Sequence, residues 1–284
     1  MTSSQSRDKA DFGDIYNQPD PRAYFWTLEP LDYVIPGHGA AVFTQLLDAR
    51  SAVAGRRPKV LDVCCSYGVG AMLLKTHVDL KQVYAHYRDA ESLSRDELVA
   101  ADRRLLSDHH RAGDVEVVGL DAAQHAVDYG LATGALDAGV TENLERDEPS
   151  ARLAALLSDV DLVTVTGGVG YVTDRTFDQL LDGTPASTWV AAFCLRTYDY
   201  SPIAEALGRH GLFTESATRT FPQRRFAGPE EKQWAVEQVR SRDLDPSDKE
   251  EDGYFHADFF LARPEAEVAR RPLKDLLPGL DGSA

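Results

Sequence analysis

One stretch constrains the fold more than any other: Val60-Leu61-Asp62-Val63-Cys64-Cys65-Ser66-Tyr67-Gly68-Val69-Gly70, followed by Ala71-Met72-Leu73-Leu74. An apolar run ends in an acid, small residues follow at alternate positions, and a helix-like apolar segment comes next. This pattern reads as a buried strand passing through a tight turn onto a helix N-terminus, where backbone N–H groups can face a ligand. A dinucleotide fingerprint would need G-x-G-x-x-G after the strand and an acid about 20 residues later. Here the acid precedes the turn, and only Gly68 and Gly70 stand close together. A phosphate loop would need Gly-Lys-Ser/Thr, and none follows. A plain parallel-strand turn that binds nothing is the alternative, yet alternating small residues leave room that packing alone does not demand.

The same grammar recurs downstream. Val115-Glu116-Val117-Val118-Gly119-Leu120-Asp121 is again an apolar strand closed by an acid, with a helical stretch from Ala122 to Leu131. Asp121 suits a ligand bearing two hydroxyls, because a carboxylate accepts several hydrogen bonds at once; as an Asp before a helix it also suits a plain N-cap. The two acids lie further apart than one strand–helix–strand unit needs, and a helical pattern from Ser94 to His109 fills the gap as an inserted helix. The competing reading makes Val83 to Tyr87 the second strand and Asp89 its acid, but that stretch lacks a clean apolar run. Ala138 to Leu144 reads as a third strand and its end, and Asp161 to Thr166 as a fourth, followed by Gly167-Gly168-Val169-Gly170-Tyr171. A helix is expected from Arg175 to Leu181, a fifth strand from Thr188 to Leu195, and a helix from Pro202 to His210 stopped by Gly211. Leu212 to Phe221 and Tyr254 to Ala262 read as an antiparallel edge hairpin.

Set on the pattern (D/E)-x-G-x-G-x-G, the first stretch resembles the class I (Rossmann-like) S-adenosylmethionine-dependent methyltransferases. Asp62 and Gly68 stand in register, whereas Cys64 and Ser66 occupy the first two glycine positions. The resemblance covers roughly residues 60 to 195. It implies an α/β fold: a seven-stranded, mostly parallel sheet with helices on both faces and the antiparallel hairpin at one edge. It also implies S-adenosylmethionine as cofactor, held by Asp62, Cys64, Ser66, Tyr67 and Gly68 in the turn. Asp121 and Ala122 would lie at the ribose, Asn143 and Leu144 at the adenine, and Thr166 and Gly167 would face cofactor and substrate. Tyr171 and His38 are the candidate catalytic residues; His125 and Tyr198 are further candidates, and plain packing is the alternative for both histidines. Tyr171 and Tyr198 follow strand ends, where open parallel sheets place ligands, and could orient an acceptor or stabilise a cationic sulfur.

The expected activity is methyl transfer to a small molecule. A second reading treats the altered turn as meaningful. A few proteins of this fold, the azetidine-2-carboxylate synthases, consume S-adenosylmethionine by letting its own amine displace methylthioadenosine. A third reading is a non-catalytic binder of the cofactor.

A net charge of −16 over 284 residues opposes nucleic-acid binding, which needs a basic footprint, and binding to anionic membranes. No apolar run reaches the length of a membrane span. Met1 to Asp11 is polar and reads as a disordered start rather than a secretory signal. Three cysteines without a C-x-x-C pair point to reduced thiols in a cytoplasmic protein with no metal site. The chain divides into an aromatic leader (1–54: Phe12, Tyr16, Tyr24, Phe25, Trp26, Tyr33) covering the site, a cofactor-binding domain (55–263), and a loosely held tail (264–284). Within the domain, the polar insertion 222–253 is open to three readings: a lid, a contact in a homodimer, or a solvated loop.

Overall fold

The computed structural model describes residues 13–56, 58–111, 113 and 115–280. The expected disordered start and Phe12 lie outside them. Eight strands form one sheet: β1 (Lys59–Val63), β2 (Glu116–Asp121), β3 (Ala138–Thr141), β4 (Leu162–Thr166), β5 (Trp189–Leu195), β6 (Leu212–Ser216), β7 (Phe221–Arg225) and β8 (Tyr254–Pro264). Their order is β3-β2-β1-β4-β5-β8-β6, with β7 also on β8. The first five run parallel, β8 is antiparallel to β5, and β6 and β7 are antiparallel to β8. This is the class I methyltransferase architecture, and its parallel strands are mostly apolar because helices cover both faces. Every residue of β1 and of β5 is buried.

The expected count of seven strands is corrected to eight. The sixth position is split: β6 pairs with Phe260–Pro264 and β7 with Tyr254–Ala257, end to end along the same side of β8. Ala217 still donates to the Phe259 carbonyl (3.0 Å). Beyond it the ladder stops, then resumes with a register shift between Pro222 and Arg224, where proline has no N–H to give. The insertion therefore begins with a strand and continues as a 13-residue helix.

The helices are α1 (Arg22–Leu28), α2 (Ile35–Ala54), α3 (Val69–Lys75), α4 (Leu80–Arg88), α5 (Arg95–Asp108), α6 (Gln124–Thr133), α7 (Ala151–Leu157), α8 (Asp174–Gly183), α9 (Ser201–Arg209), α10 (Pro229–Ser241), α11 (Glu265–Arg270) and α12 (Leu273–Leu276). Alternate strand residues feed two cores. Val60, Val117 and Leu162 meet the leader and α3 to α6, whereas Leu61, Val118 and Val163 meet α7 to α9. Two capping boxes fix the helices between the acids: Asp79 with Gln82 opens α4, and Ser94 with Glu97 opens α5. The stretch Val83 to Tyr87 is thus helical, Asp89 caps α4, and Asp121 is the acid that closes β2.

The tail departs from expectation. Leu273, Leu276, Leu277 and Leu280 are buried in the first core, and Trp189 Nε1 donates to Glu267 (2.9 Å). In the leader, Tyr24 and Phe25 are buried, and Phe25 stacks on Tyr87 with centroids 4.0 Å apart.

Candidate functional site

β1 ends where the backbone must bend sharply, and it does so through residues ill suited to the task. Cys64 has φ 58°, Ser66 φ 49° and Gly68 φ 78°. The left-handed region is routine for glycine and rare for L side chains, so the path glycines would take is followed here under strain. Two contacts hold it. A Cβ on Gly168 would lie 2.8 Å from Cys64 Sγ, so the loop after β4 closes directly on the thiol. Tyr67 receives Gln18 N–H (2.8 Å) and lies 3.0 Å from the Ile15 carbonyl, which ties the turn to the leader.

The two acids bracket this turn. Asp121 accepts Ser66 N–H at Oδ2 (2.8 Å) and Ala123 N–H at Oδ1 (2.9 Å), so the acid of β2 grips the bent backbone after β1. Burial pushes its pKa up, opposed by these backbone donors. Asp62 is 7 % exposed and accepts the Thr164 hydroxyl (3.0 Å). Burial raises its pKa to about 7, and the charge of Asp121 adds to the rise. Among the described residues neither acid forms a salt bridge. A Cβ on Gly70 would stand 3.1 Å from Asp62 Oδ2, so only glycine lets the first turn of α3 pass so close to the carboxylate.

Polar atoms around these acids lack partners. Ser66 Oγ and Thr141 Oγ1 are buried without a hydrogen bond, a costly state for a hydroxyl. Beside them an open depression of about 340 Å³ is lined by Ala122, Thr141, Glu142 and Asn143, among others. Asn143 Oδ1 accepts Glu145 N–H (3.1 Å) and shapes the loop after β3. Leu144, expected at the adenine, is 3 % exposed and packs in the second core.

The leader crosses this end of the sheet. Asn17 Oδ1 accepts His125 N–H (2.9 Å) at the start of α6, and its carbonyl meets His125 Nδ1 (3.0 Å). His125 is therefore an anchor for the leader.

On the far side of the turn, three elements converge on the end of β4. A Cβ on Gly39, in α2, would lie 3.1 Å from Thr166 Oγ1. Gly167 has φ +77°, and a Cβ there would meet Gln223 Nε2 of β7 at 3.1 Å and the Tyr33 hydroxyl at 3.3 Å. His38, one residue from Gly39, packs edge-on against Phe221 (5.5 Å). Burial lowers its pKa, helped by Arg219, so it is neutral at pH 7. Tyr171 is 57 % exposed on the glycine loop, within electrostatic reach of Tyr16 and Tyr198. Tyr198 packs under Gly170, whose Cβ would meet its ring at 2.8 Å. The two candidate catalytic residues thus have different neighbours. Sequence reasoning passed over Asn17, Gln18 and Gln223 and took Tyr16 and Tyr33 only as members of an aromatic set.

No family model matches the chain, and no curated protein matches it. Among solved structures it is similar to the plantazolicin methyltransferase BpumL in complex with S-adenosylhomocysteine, at 10 % identity over 88 % of this chain and 93 % of that one, with a TM-score of 0.45. It is also similar to a TehB-like SAM-dependent methyltransferase from Corynebacterium glutamicum, at 17 % identity over 76 % and 85 % of the two chains, with a TM-score of 0.39. A precorrin-6y C5,15-methyltransferase from Geobacter metallireducens gives 9 % identity over 76 % and 88 %, with a TM-score of 0.39. The fold assignment rests on the strand order of the sheet, not on these likenesses.

Proposed function

We propose that the chain binds S-adenosylmethionine across the carboxyl ends of β1, β2 and β3 and transfers its methyl group to a small molecule. One observation carries the reading: Asp121 grips a strained turn at Ser66 and Ala123 while buried Asp62 and half-buried Asp121 meet no cation among the described residues. Strain and uncompensated burial of this kind collect at functional sites. The donor set fits the cofactor. Each oxygen of Asp121 accepts one backbone N–H from Ser66 or Ala123 and keeps a lone pair for a ribose hydroxyl. The orphaned hydroxyls of Ser66 and Thr141 supply further polar contacts beside it.

When bound, the sulfonium supplies an electrophilic methyl group for in-line displacement. This chain's part is to orient and to keep water out. The leader closes over the turn through Tyr67 and His125, and His38, whose pKa burial lowers, is the candidate base for a proton from the acceptor. Three free cysteines suit a reducing, cytoplasmic setting. No helix of the described residues is long and apolar enough to cross a membrane.

Calorimetric titration with S-adenosylmethionine and S-adenosylhomocysteine tests the reading, followed by mass spectrometry of the protein incubated with S-adenosylmethionine and a metabolite extract. The expected outcome is measurable heat with both and S-adenosylhomocysteine formed only with extract. No heat from either ligand sinks the proposal. Methylthioadenosine released without extract would replace transfer by intramolecular cyclisation.

A further inference from the structure

The helices inserted between the two acids carry a cluster that the proposed chemistry leaves unused. Asp102, within α5, is fully buried. Its Oδ2 accepts the hydroxyls of Tyr87 in α4 (2.6 Å) and Tyr129 in α6 (2.7 Å), and its Oδ1 lies 2.6 Å from His86 Nε2. One carboxylate thus joins three helices. Each tyrosine presents its ring to a further aromatic. Tyr129 meets Tyr67 edge-on with centroids 6.0 Å apart, and Tyr87 stacks on Phe25 at 4.0 Å. Phe25 meets Tyr24 at 5.0 Å, and Tyr24 meets Tyr67 at 6.1 Å. The contacts therefore close into a ring that starts and ends at Asp102.

Tyr67 is where this ring touches the candidate site. Its backbone lies in the bent turn, between Ser66 and Gly68. Its hydroxyl takes Gln18 N–H (2.8 Å) and lies within 3.1 Å of the Ile15 and Gln18 carbonyls. Asn17, Gln18 and Pro19 are exposed, so this part of the leader stays in place through its anchors rather than through burial. The inserted helices supply one more such anchor, since Arg95 of α5 donates to the Pro19 carbonyl (3.0 Å). A buried carboxylate with a partner on each oxygen holds its neighbours in one arrangement, because moving any of them strands a polar atom in a dry place.

We infer that Asp102 is a positioning residue for cofactor binding: it locks the aromatic ring, the ring fixes Tyr67, and the Tyr67 hydroxyl holds the leader over the turn. The inserted helices α4 and α5 are then the frame of a clamp that keeps the cofactor in place. The inference rests on the S-adenosylmethionine reading only in naming what the clamp retains; the hold on the leader is independent of any ligand.

The test joins amide hydrogen exchange of the full chain, read over leader residues 13–20, to calorimetric titration with S-adenosylhomocysteine. Asp102→Leu takes the acceptor from both tyrosines and should raise leader exchange and weaken binding, each by about tenfold, the order expected for one such hydrogen bond. Asp102→Asn offers an oxygen to the tyrosines and an N–H to neutral His86, and should bring both readouts back to within about twofold of wild type. Tyr67→Phe cuts the ring off from the leader. In that background Asp102→Leu should still lower the melting temperature, yet change neither exchange nor affinity further. Should Asp102→Leu not fold, Tyr129→Phe takes its place. Unchanged leader exchange in a folded variant, or equal losses of affinity with and without the Tyr67 hydroxyl, overturns the inference and leaves Asp102 a stabiliser of its helices alone. A wild type that binds no S-adenosylhomocysteine removes the cofactor reading instead, and leader exchange still decides whether Asp102 holds the leader.

Discussion

The antiparallel half of the sheet and the carboxyl ends of β1 and β2 treat acids in opposite ways. In the antiparallel half each deeply buried carboxylate has a matched cation. Arg224 forks onto Glu231, which also takes Ala227 N–H (2.7 Å), and Arg196 meets Glu250 at 2.6 Å. At the carboxyl ends of β1 and β2, Asp62 is buried and Asp121 half-buried with only neutral donors among the described residues, and both have raised pKa values. Asp161, at the opposite end of β4, is instead buried against Arg50 and Arg56. Burial of charge is costly and is normally offset by a partner. The paired acids hold the fold together, and under the proposed function the unpaired ones hold a place for the cofactor.

Breaking a matched pair should give the largest effect. Glu231→Ala strands the buried Arg224 guanidinium and should cost about 3–5 kcal/mol in urea unfolding. The double replacement Arg224→Met with Glu231→Leu should recover most of that loss, since neither charge then remains. A Glu231→Ala variant as stable as wild type would mean that solvent reaches the pair and that the contrast between the two regions is false.

Asp62 sharpens the comparison through pH. Its folded pKa is raised from 3.8 to about 7, so the folded state holds the proton more tightly than the unfolded chain. The stability it contributes is fully present below about pH 4 and is lost as pH rises through 7, a fall of the order of 4 kcal/mol. Asp62→Asn carries no such charge and keeps an acceptor for Thr164. Its melting temperature should match wild type at pH 4 and exceed it increasingly up to pH 8. A cationic ligand acts in the opposite sense. It favours ionised Asp62, and its binding should tighten over the same window. A constant gap in melting temperature between variant and wild type would show that Asp62 is already ionised at low pH.

Asp121→Ala should weaken S-adenosylmethionine binding by about 1.5–3 kcal/mol in the titration, the range for hydrogen bonds to a charged group. Unaltered affinity would move the ligand off β2. The sequence made this acid visible because an apolar strand closed by a carboxylate is a local pattern. Gln223 and Asn17 have no such pattern. Their roles come from partners far along the chain: Gln223 through Val34 and Tyr33, Asn17 through His125 at a separation of 108 residues. Residues that owe their place to long-range pairing carry no mark in their own neighbourhood. The tail shows a different failure. Leu273, Leu276, Leu277 and Leu280 follow helical spacing, yet Pro272, Pro278 and the surrounding charges outweighed it. The register shift within β7 falls at Pro222, whose missing N–H was written in the sequence, whereas the break between β6 and β7 before it was not.

The smallest effect separates strain from recognition. Ser66 sits at φ 49° with a buried hydroxyl that bonds nothing. A left-handed conformation costs an L residue about 1–2 kcal/mol, whereas glycine adopts it freely but loses about 0.5–1 kcal/mol more chain entropy on folding. Ser66→Gly should therefore stabilise the ligand-free protein by about 1 kcal/mol once the strain and the orphaned hydroxyl are both removed. Ser66→Ala keeps the strain and removes only the hydroxyl, so the difference between the two variants isolates the backbone cost. If the hydroxyl meets the cofactor, both variants bind S-adenosylhomocysteine more weakly while both gain in stability, the first by more. Gain in stability and loss in affinity would then move in opposite directions at a single residue. A Ser66→Gly protein that binds as wild type does would reduce the departure from glycine to tolerated strain, and the turn would owe its hold on the ligand to Asp121 alone.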